Sequence, residues 1–225
     1  MKKAFTLAEV LITLGIIGVV AAMTIPSLIN AYRERVTVTK VQKAYSLLSL
    51  AFKQITEAYG VPPYAYPGVE NFNHSCSTCA AIKRDLYKSQ LGGEASNLSG
   101  LNYTVYNLDG SKNLIPVNNW PTLTLNNGMT IIFSNDRICG GYMLTPGKQT
   151  ACGMGSDVVV DINGSNSGPN TVGKDVFGFT TALDGIYPDG LSGSYHDNTC
   201  ALDKSGLGCT YKILHDKNMK YLEKK

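Results

Sequence analysis

Charge and histidine are both scarce in this chain. Charged residues fill 16% of its 225 positions, where an average soluble domain has roughly a quarter. The three histidines, His74, His196 and His215, stand far apart in polar surroundings. None belongs to a metal-binding helix motif or follows a nucleophile elbow, so the usual hydrolase signatures are missing. No glycine-rich loop of the phosphate-cradling kind is present. A formal net charge of +3 is too small a field to hold nucleic acid through broad electrostatics, and no nucleic-acid partner is expected. Repeats of solenoid length are absent as well. These absences exclude most catalytic classes and point to a chain whose chemistry lies elsewhere.

Long hydrophobic runs are also rare, with one exception. From Val10 to Ile29 the sequence is uncharged for 20 residues, about what a helix needs to cross the ~30 Å hydrocarbon core of a bilayer. One acid, Glu9, stands immediately before it. An acid at a helix centre in a membrane costs roughly 2.5–3.5 kcal/mol, and less toward the ends, so Glu9 demands a partner cation. A secretory signal would use Lys2 and Lys3 as its basic region and a cut near Ala21-Ala22. Glu9 would then interrupt the apolar region, and apolar periodicity runs on past the cut. A plain anchor leaves Glu9 without a purpose.

Lys2-Lys3-Ala4 followed by Phe5-Thr6-Leu7-Ala8-Glu9-Val10-Leu11-Ile12 resembles the N-terminal signature of type IV prepilins and type II secretion pseudopilins. The resemblance covers roughly residues 1–60 and is specific there. It implies that a membrane-embedded prepilin peptidase cuts between Ala4 and Phe5 on the cytoplasmic side, that the new Phe5 amine is methylated, and that Glu9 serves assembly. The family usually has Gly before the cut; here the residue is Ala4, also small. Pro26 falls where many members carry a helix-kinking proline. In such a filament, the Glu9 carboxylate would lie in a low dielectric and meet the Phe5 ammonium of a neighbouring subunit. Removing one member of a buried pair of this kind typically costs ~3–5 kcal/mol. Gly15 and Gly18 would allow close helix approach. Losing Lys2 and Lys3 lowers the net charge from +3 by two, to +1.

Beyond the apolar run, Val38, Val41, Tyr45, Leu48, Phe52, Ile55 and Tyr59 recur at helical steps, widened by Ala44, Leu47 and Ala51. That pattern predicts an amphipathic helix with one buried stripe, stopped after Gly60 by Pro62-Pro63. Phe5 to Tyr59 would form a rod of ~80 Å, bent at Pro26. Val36-Thr37-Val38-Thr39 has weak helix propensity and is expected to be irregular. Residues 61–225 change texture to Gly, Asn, Ser and Thr between short apolar runs, which reads as a β-rich domain. Thr122–Leu125, the Asn126-Asn127-Gly128 turn and Met129–Phe133 predict a hairpin. Further strands are expected at Tyr103–Asn107, Asp157–Ile162 and Val176–Thr181, with a turn at Asp184-Gly185 leading into Ile186-Tyr187. Tyr211–Tyr221 reads equally as strand or short helix. The fold class is α+β: a long N-terminal helix, its apolar half membrane-spanning and its amphipathic half packed on an antiparallel sheet.

Cys76, Cys79, Cys139, Cys152, Cys200 and Cys209 all follow the membrane segment, and an even number in an exported domain points to disulfides. Local closure would pair Cys76 with Cys79, Cys139 with Cys152 and Cys200 with Cys209; Gly206 and Gly208 favour the last. The rivals are a redox-active Cys76-x-x-Cys79 and a zinc site. No helix of a βαβ unit follows Cys76-x-x-Cys79 in the pattern, and no second ligand pair completes a zinc set. Asp161, Asn163 and Ser165 alternate like calcium-loop ligands, but Gly164 comes one residue too early for an EF-hand and Val172 stands in place of its final Glu. An irregular calcium site of Asp161, Asn163 and Asp175 competes with a simple Asx-turn loop, and no other cofactor is indicated.

These readings divide the chain into a leader (1–4), a transmembrane and assembly half-helix (5–30), an amphipathic half-helix (31–60) and a periplasmic or extracellular domain (61–225). The resemblance implies a filament subunit with no catalytic residues. It would wait in the inner membrane with its N-terminus cytoplasmic and its globular domain periplasmic, in contact with lipid, until assembly machinery joins it to other subunits. The filament would then lie at the cell surface or in the periplasm. Two alternatives are an exported or membrane-anchored binding domain, and an exported hydrolase or thiol enzyme.

Overall fold

The computed structural model describes residues 6–69, 78–98, 103–113, 120–134, 157–182, 184–192 and 196–223. Two compact units emerge, Met1–Val36 and Thr37–Lys225. Helix α1 (Leu7–Tyr59) contributes its residues up to Val36 to the first unit and the rest to the second. In the first unit every described residue except Ala21, Glu34 and Val36 is exposed, apolar side chains included. Its Thr13, Thr24 and Ser27 hydroxyls donate to carbonyls one turn earlier (Val10, Val20 and Thr24), the internal satisfaction that an apolar medium requires of hydroxyls. The Val36–Thr39 run, expected to be irregular, is helical; tertiary burial of Val38 and Val41 outweighs the weak propensity of β-branched residues.

In the second unit, the α1 stripe Val38, Val41, Ala44, Leu48, Ala51, Phe52 and Ile55 is buried. Tyr45 and Leu47 pack beside it, and the Tyr45 ring stacks on Phe179 at 6.2 Å. Tyr59, at the helix end, stays 46% exposed and meets Tyr66 edge-on at 5.1 Å. Against this stripe lies a six-stranded antiparallel meander, β1 to β6 in sequence order. Its strands are β1 (Glu94–Asn97), β2 (Pro121–Thr124), β3 (Thr130–Phe133), β4 (Val158–Asp161), β5 (Val176–Thr181) and β6 (Ile186–Pro188). Alternation along them fills two cores. Leu123, Ile131, Phe133, Val158, Val160, Phe177 and Phe179 face α1. Ile132, Val159 and Val176 face a second layer holding Leu98, Tyr103, Val105, Trp120 and Val172. A sheet covered on both faces explains why Val158-Val159-Val160 and Thr130–Phe133 read as continuous apolar runs.

The β2–β3 hairpin closes as expected: Gly128 takes φ +83 and donates to Leu125 O, while Asn127 Oδ1 accepts Met129 N. β4, β5 and β6 fall within or on the predicted segments, and Ala182 N to Gly185 O turns the chain between the last two. The C-terminal ambiguity resolves to helix α3 (Cys209–Asp216), followed by a 3-10 turn at Lys220–Leu222. Tyr103–Asn107 forms no ladder strand; its pairing is limited to bridges from Tyr106 to Lys112 and Thr171. Two elements arise that the pattern did not predict: helix α2 (Cys79–Leu91) and edge strand β1. α2 begins at Cys79, so a helix does follow Cys76-x-x-Cys79, but it feeds an antiparallel meander rather than a βαβ unit.

Candidate functional site

The start of α1 is built around Glu9. Thr6 is the residue before the helix, and its backbone N and its Oγ1 both donate to Glu9 Oε2 at 2.8 Å. Glu9 N in return approaches Thr6 Oγ1 at 3.3 Å. This reciprocal Thr-x-x-Glu arrangement is a capping box: it satisfies amide donors that the first helical turn leaves orphaned. Glu9 therefore has a partner inside its own chain, and Thr6 is a site residue that the sequence argument passed over although the spacing was there to see. Ala4 and Phe5 lie outside the described residues. Pro26 sits within α1, and the helix continues through it.

The apolar side chains that follow are exposed among the described residues. Leu7, Leu11, Ile12, Leu14, Ile16, Ile17, Val19, Val20 and Met23 are each more than half exposed. Among the described residues α1 alone is long and apolar enough to cross a membrane. A Cβ built on Gly15 or Gly18 would meet no atom within 4 Å. Each glycine gives up roughly 1 kcal/mol of helix propensity against Ala, and no described residue requires the space it leaves.

The second candidate region joins the β4 end to the loop before β5. Asp161 is wholly buried; its Oδ1 accepts the amides of Asn163 and Gly164, and its Oδ2 accepts the Tyr103 hydroxyl at 2.9 Å. Asp175 accepts Thr171 N on one oxygen, and Asn170 N and Asn163 Nδ2 on the other. Asn163 thus hydrogen-bonds both Asp161 and Asp175. Burial pushes the Asp161 carboxyl up to about 6; the Tyr103 and amide hydrogen bonds pull it down and the Asp175 charge adds to the rise. Burial raises Asp175 too, against the same kind of amide donors, and raises Tyr103, helped by the Asp161 charge.

Whether these groups suit a calcium ion turns on Asn163. Its Nδ2 stands between Gly168 O (3.1 Å) and Asp175 Oδ2 (3.3 Å), bridging two acceptors that a cation would otherwise share. The Oδ1 atoms of Asn163 and Asn170 are buried without a hydrogen-bond partner; these are oxygens an ion could use, but only if the Asn163 amide turned over. No cluster of three or more acidic, thiol or imidazole ligands occurs among the described residues.

Cys200 and Cys209 are disulfide-bonded, their Cα atoms 4.7 Å apart, as Gly206 and Gly208 within the loop suggested. Beside the bridge, Gly190 takes φ +96 and lies so near Gly208 that a Cβ there would fall 2.2 Å from the Gly208 carbonyl. Cys79 is also in a disulfide, which weighs against a free thiol there; Cys76, Cys139 and Cys152 lie outside the described residues. A cavity of about 370 Å³ next to Cys200 is lined by Asp197, Lys204, Tyr211, Lys212 and Asp216. Acids and bases balance in that lining, so it selects no ligand by sign. His196 is buried and His215 pairs with Asp216 on the surface.

Comparison with known proteins gives one result at the N-terminus and none beyond it. No curated protein and no solved structure matches the chain. Residues 1–25, the segment holding Lys2, Phe5 and the Glu9 capping box, match the prokaryotic N-terminal methylation motif. The chain therefore carries a prepilin-type cleavage and methylation signature ahead of a pilin-like α+β fold.

Proposed function

We propose that this protein is a structural subunit of a type IV pilus-like or type II secretion pseudopilus filament. A prepilin peptidase removes residues 1–4, the Phe5 amine is methylated, and the subunit waits in the inner membrane with its globular domain periplasmic. Assembly machinery then draws it into a filament held together by the apolar half-helix. The observation that carries this reading is the apolar surface from Leu7 to Met23, which is exposed among the described residues and headed by one carboxylate. The two glycines whose space nothing in the chain uses support it, since close helix approach is what small residues provide in a membrane. Glu9 then exchanges its Thr6 donors for the ammonium of an adjoining subunit.

The test replaces Glu9 with Ala and follows two readouts. Mass spectrometry of the mature N-terminus is expected to show methylated Phe5 in both proteins. Incorporation into filaments is expected to fall at least tenfold in the variant. Normal incorporation would remove the role assigned to Glu9, and an N-terminus near Met23 or an intact Met1 would remove the filament reading itself.

A further inference from the structure

Helix α2 buries a charge where its pattern calls for an apolar residue. Its inner face comprises Cys79, Ala80, Lys83, Leu86 and Tyr87, and Lys83 is only 2% exposed. Lys83 Nζ contacts Asp157 Oδ1 at 2.5 Å. Asp157, also buried, stands immediately before β4, and its carbonyl accepts Ser134 N at the end of the β3–β4 ladder. Tyr87, one helical turn on from Lys83, packs its ring on Phe133 at 5.4 Å. The second carboxylate oxygen, Asp157 Oδ2, is buried with no hydrogen-bond partner, and so is the Tyr87 hydroxyl. Burial, with the Asp157 charge adding, holds that phenol well above its ordinary range and therefore protonated.

An ion pair in such a place is a poor end state. Each ion has lost its water, and one carboxylate oxygen has nothing in exchange. Condensing the two groups would remove both charges from this dry site. In bulk water, ionisation of both groups opposes their condensation. The condensed product carries no charge at all, and the 2.5 Å contact already holds the two groups together.

We infer that Lys83 and Asp157 condense into an intramolecular isopeptide bond. The Lys83 ammonium first gives one proton to the Asp157 carboxylate. The Nζ lone pair then attacks Cγ, the Nζ–Cγ bond forms and one Cγ–O bond breaks. The departing oxygen leaves as water, carrying the carboxylic proton and a second proton from nitrogen; the remaining N–H belongs to the new amide. Nothing is oxidised or reduced, and no co-reactant is needed. The bond fastens α2 to the start of β4 across 74 positions of sequence, independently of whether the protein forms filaments.

The test uses the full-length protein, purified with its membrane segment, its disulfides reduced and alkylated, and mapped by tryptic mass spectrometry. One joined peptide containing Lys83 and Asp157 is expected, lighter by one water than the sum of its parts, with no cleavage after Lys83. Lys83→Arg, which keeps the positive charge, should yield only separate peptides. Separate full-mass peptides from the natural protein, with ordinary cleavage after Lys83, would overturn the inference without recourse to any variant.

Discussion

Replacing Asp161 with Asn should change how stability depends on pH more than it changes stability itself. Asp161 is wholly buried, and burial raises its carboxyl from 3.8 to about 6. At 1.36 kcal/mol per tenfold change in affinity for the proton, that is roughly 3 kcal/mol. The sign follows from which state keeps its proton. Below about pH 4 the group is protonated in both the folded and the unfolded protein, and the charge costs nothing. As pH rises toward 6 the unfolded chain releases its proton and the folded protein holds on, so stability falls. Above about 6 the full cost of the buried charge is present. The Asn side chain can preserve the geometry: Oδ1 still accepts the Asn163 and Gly164 amides, and Nδ2 can donate to the Tyr103 oxygen. The assay is urea unfolding between about pH 4 and 8, read through Trp120, the only tryptophan, which is 3% exposed in the same layer as Tyr103. Asp175 titrates in both proteins and largely cancels in the difference. The variant should gain roughly 3 kcal/mol on the natural protein from about pH 4 to 7. Two curves that stay parallel across that range would refute the burial argument.

Three further outcomes are expected. Cys200→Ser with Cys209→Ser opens a short loop, which should lower stability by roughly 2.5–3 kcal/mol in urea; a loss below about 1 kcal/mol would mean that the surrounding glycine contacts hold the turn unaided. Calcium in excess, or a chelator, should leave the unfolding midpoint unchanged, because Asn163 Nδ2 already bridges Gly168 O and Asp175 Oδ2; a midpoint that climbs with calcium concentration would show that the Asn163 amide turns over to ligate. Glu9→Gln retains an oxygen for the Thr6 donors but has no charge, so helix content in detergent should be unchanged while filament incorporation is lost.

The globular unit was legible where its local chemistry was strong. The Asn127-Gly128 pair announced the β2–β3 hairpin because a turn of this kind needs positive φ at glycine, and Gly128 has it. Val158–Asp161 and Val176–Thr181 were visible as apolar runs because both faces of the sheet are covered. α2 was hidden by Lys83: a lysine on the core face breaks the apolar spacing that marks a helix, and no pattern rule anticipates a buried pair with Asp157. β1 was hidden for the opposite reason. Glu94-Ala-Ser-Asn97 has no strand propensity and is fixed by pairing with β2 at the sheet edge, a tertiary cause that single-sequence patterns do not contain. Tyr103–Asn107 was read as a strand from its β-formers, but its hydroxyl and backbone bond to Asp161 and Asn170 instead of a ladder.

The N-terminal segment was legible for a different reason: several of its residues are poor choices for the chain by itself. Exposed leucines, isoleucines and valines gain nothing in water, Gly15 and Gly18 weaken the helix without relieving any contact, and an acid stands at the threshold of an apolar run. A sequence that breaks local rules without an internal compensation is answering to something outside the chain. Glu9 sharpens this argument because part of its compensation is internal. The capping box gives the carboxylate two donors from Thr6 on a single oxygen, so the lone subunit can hold the charge at a helix N-terminus, where the dipole also favours it. A Ser, Asn or Gln could cap comparably, and a plain anchor would have had no reason to keep a full charge there. What the cap leaves unexplained is the charge itself, and the proposed filament would account for it with a cation from another molecule.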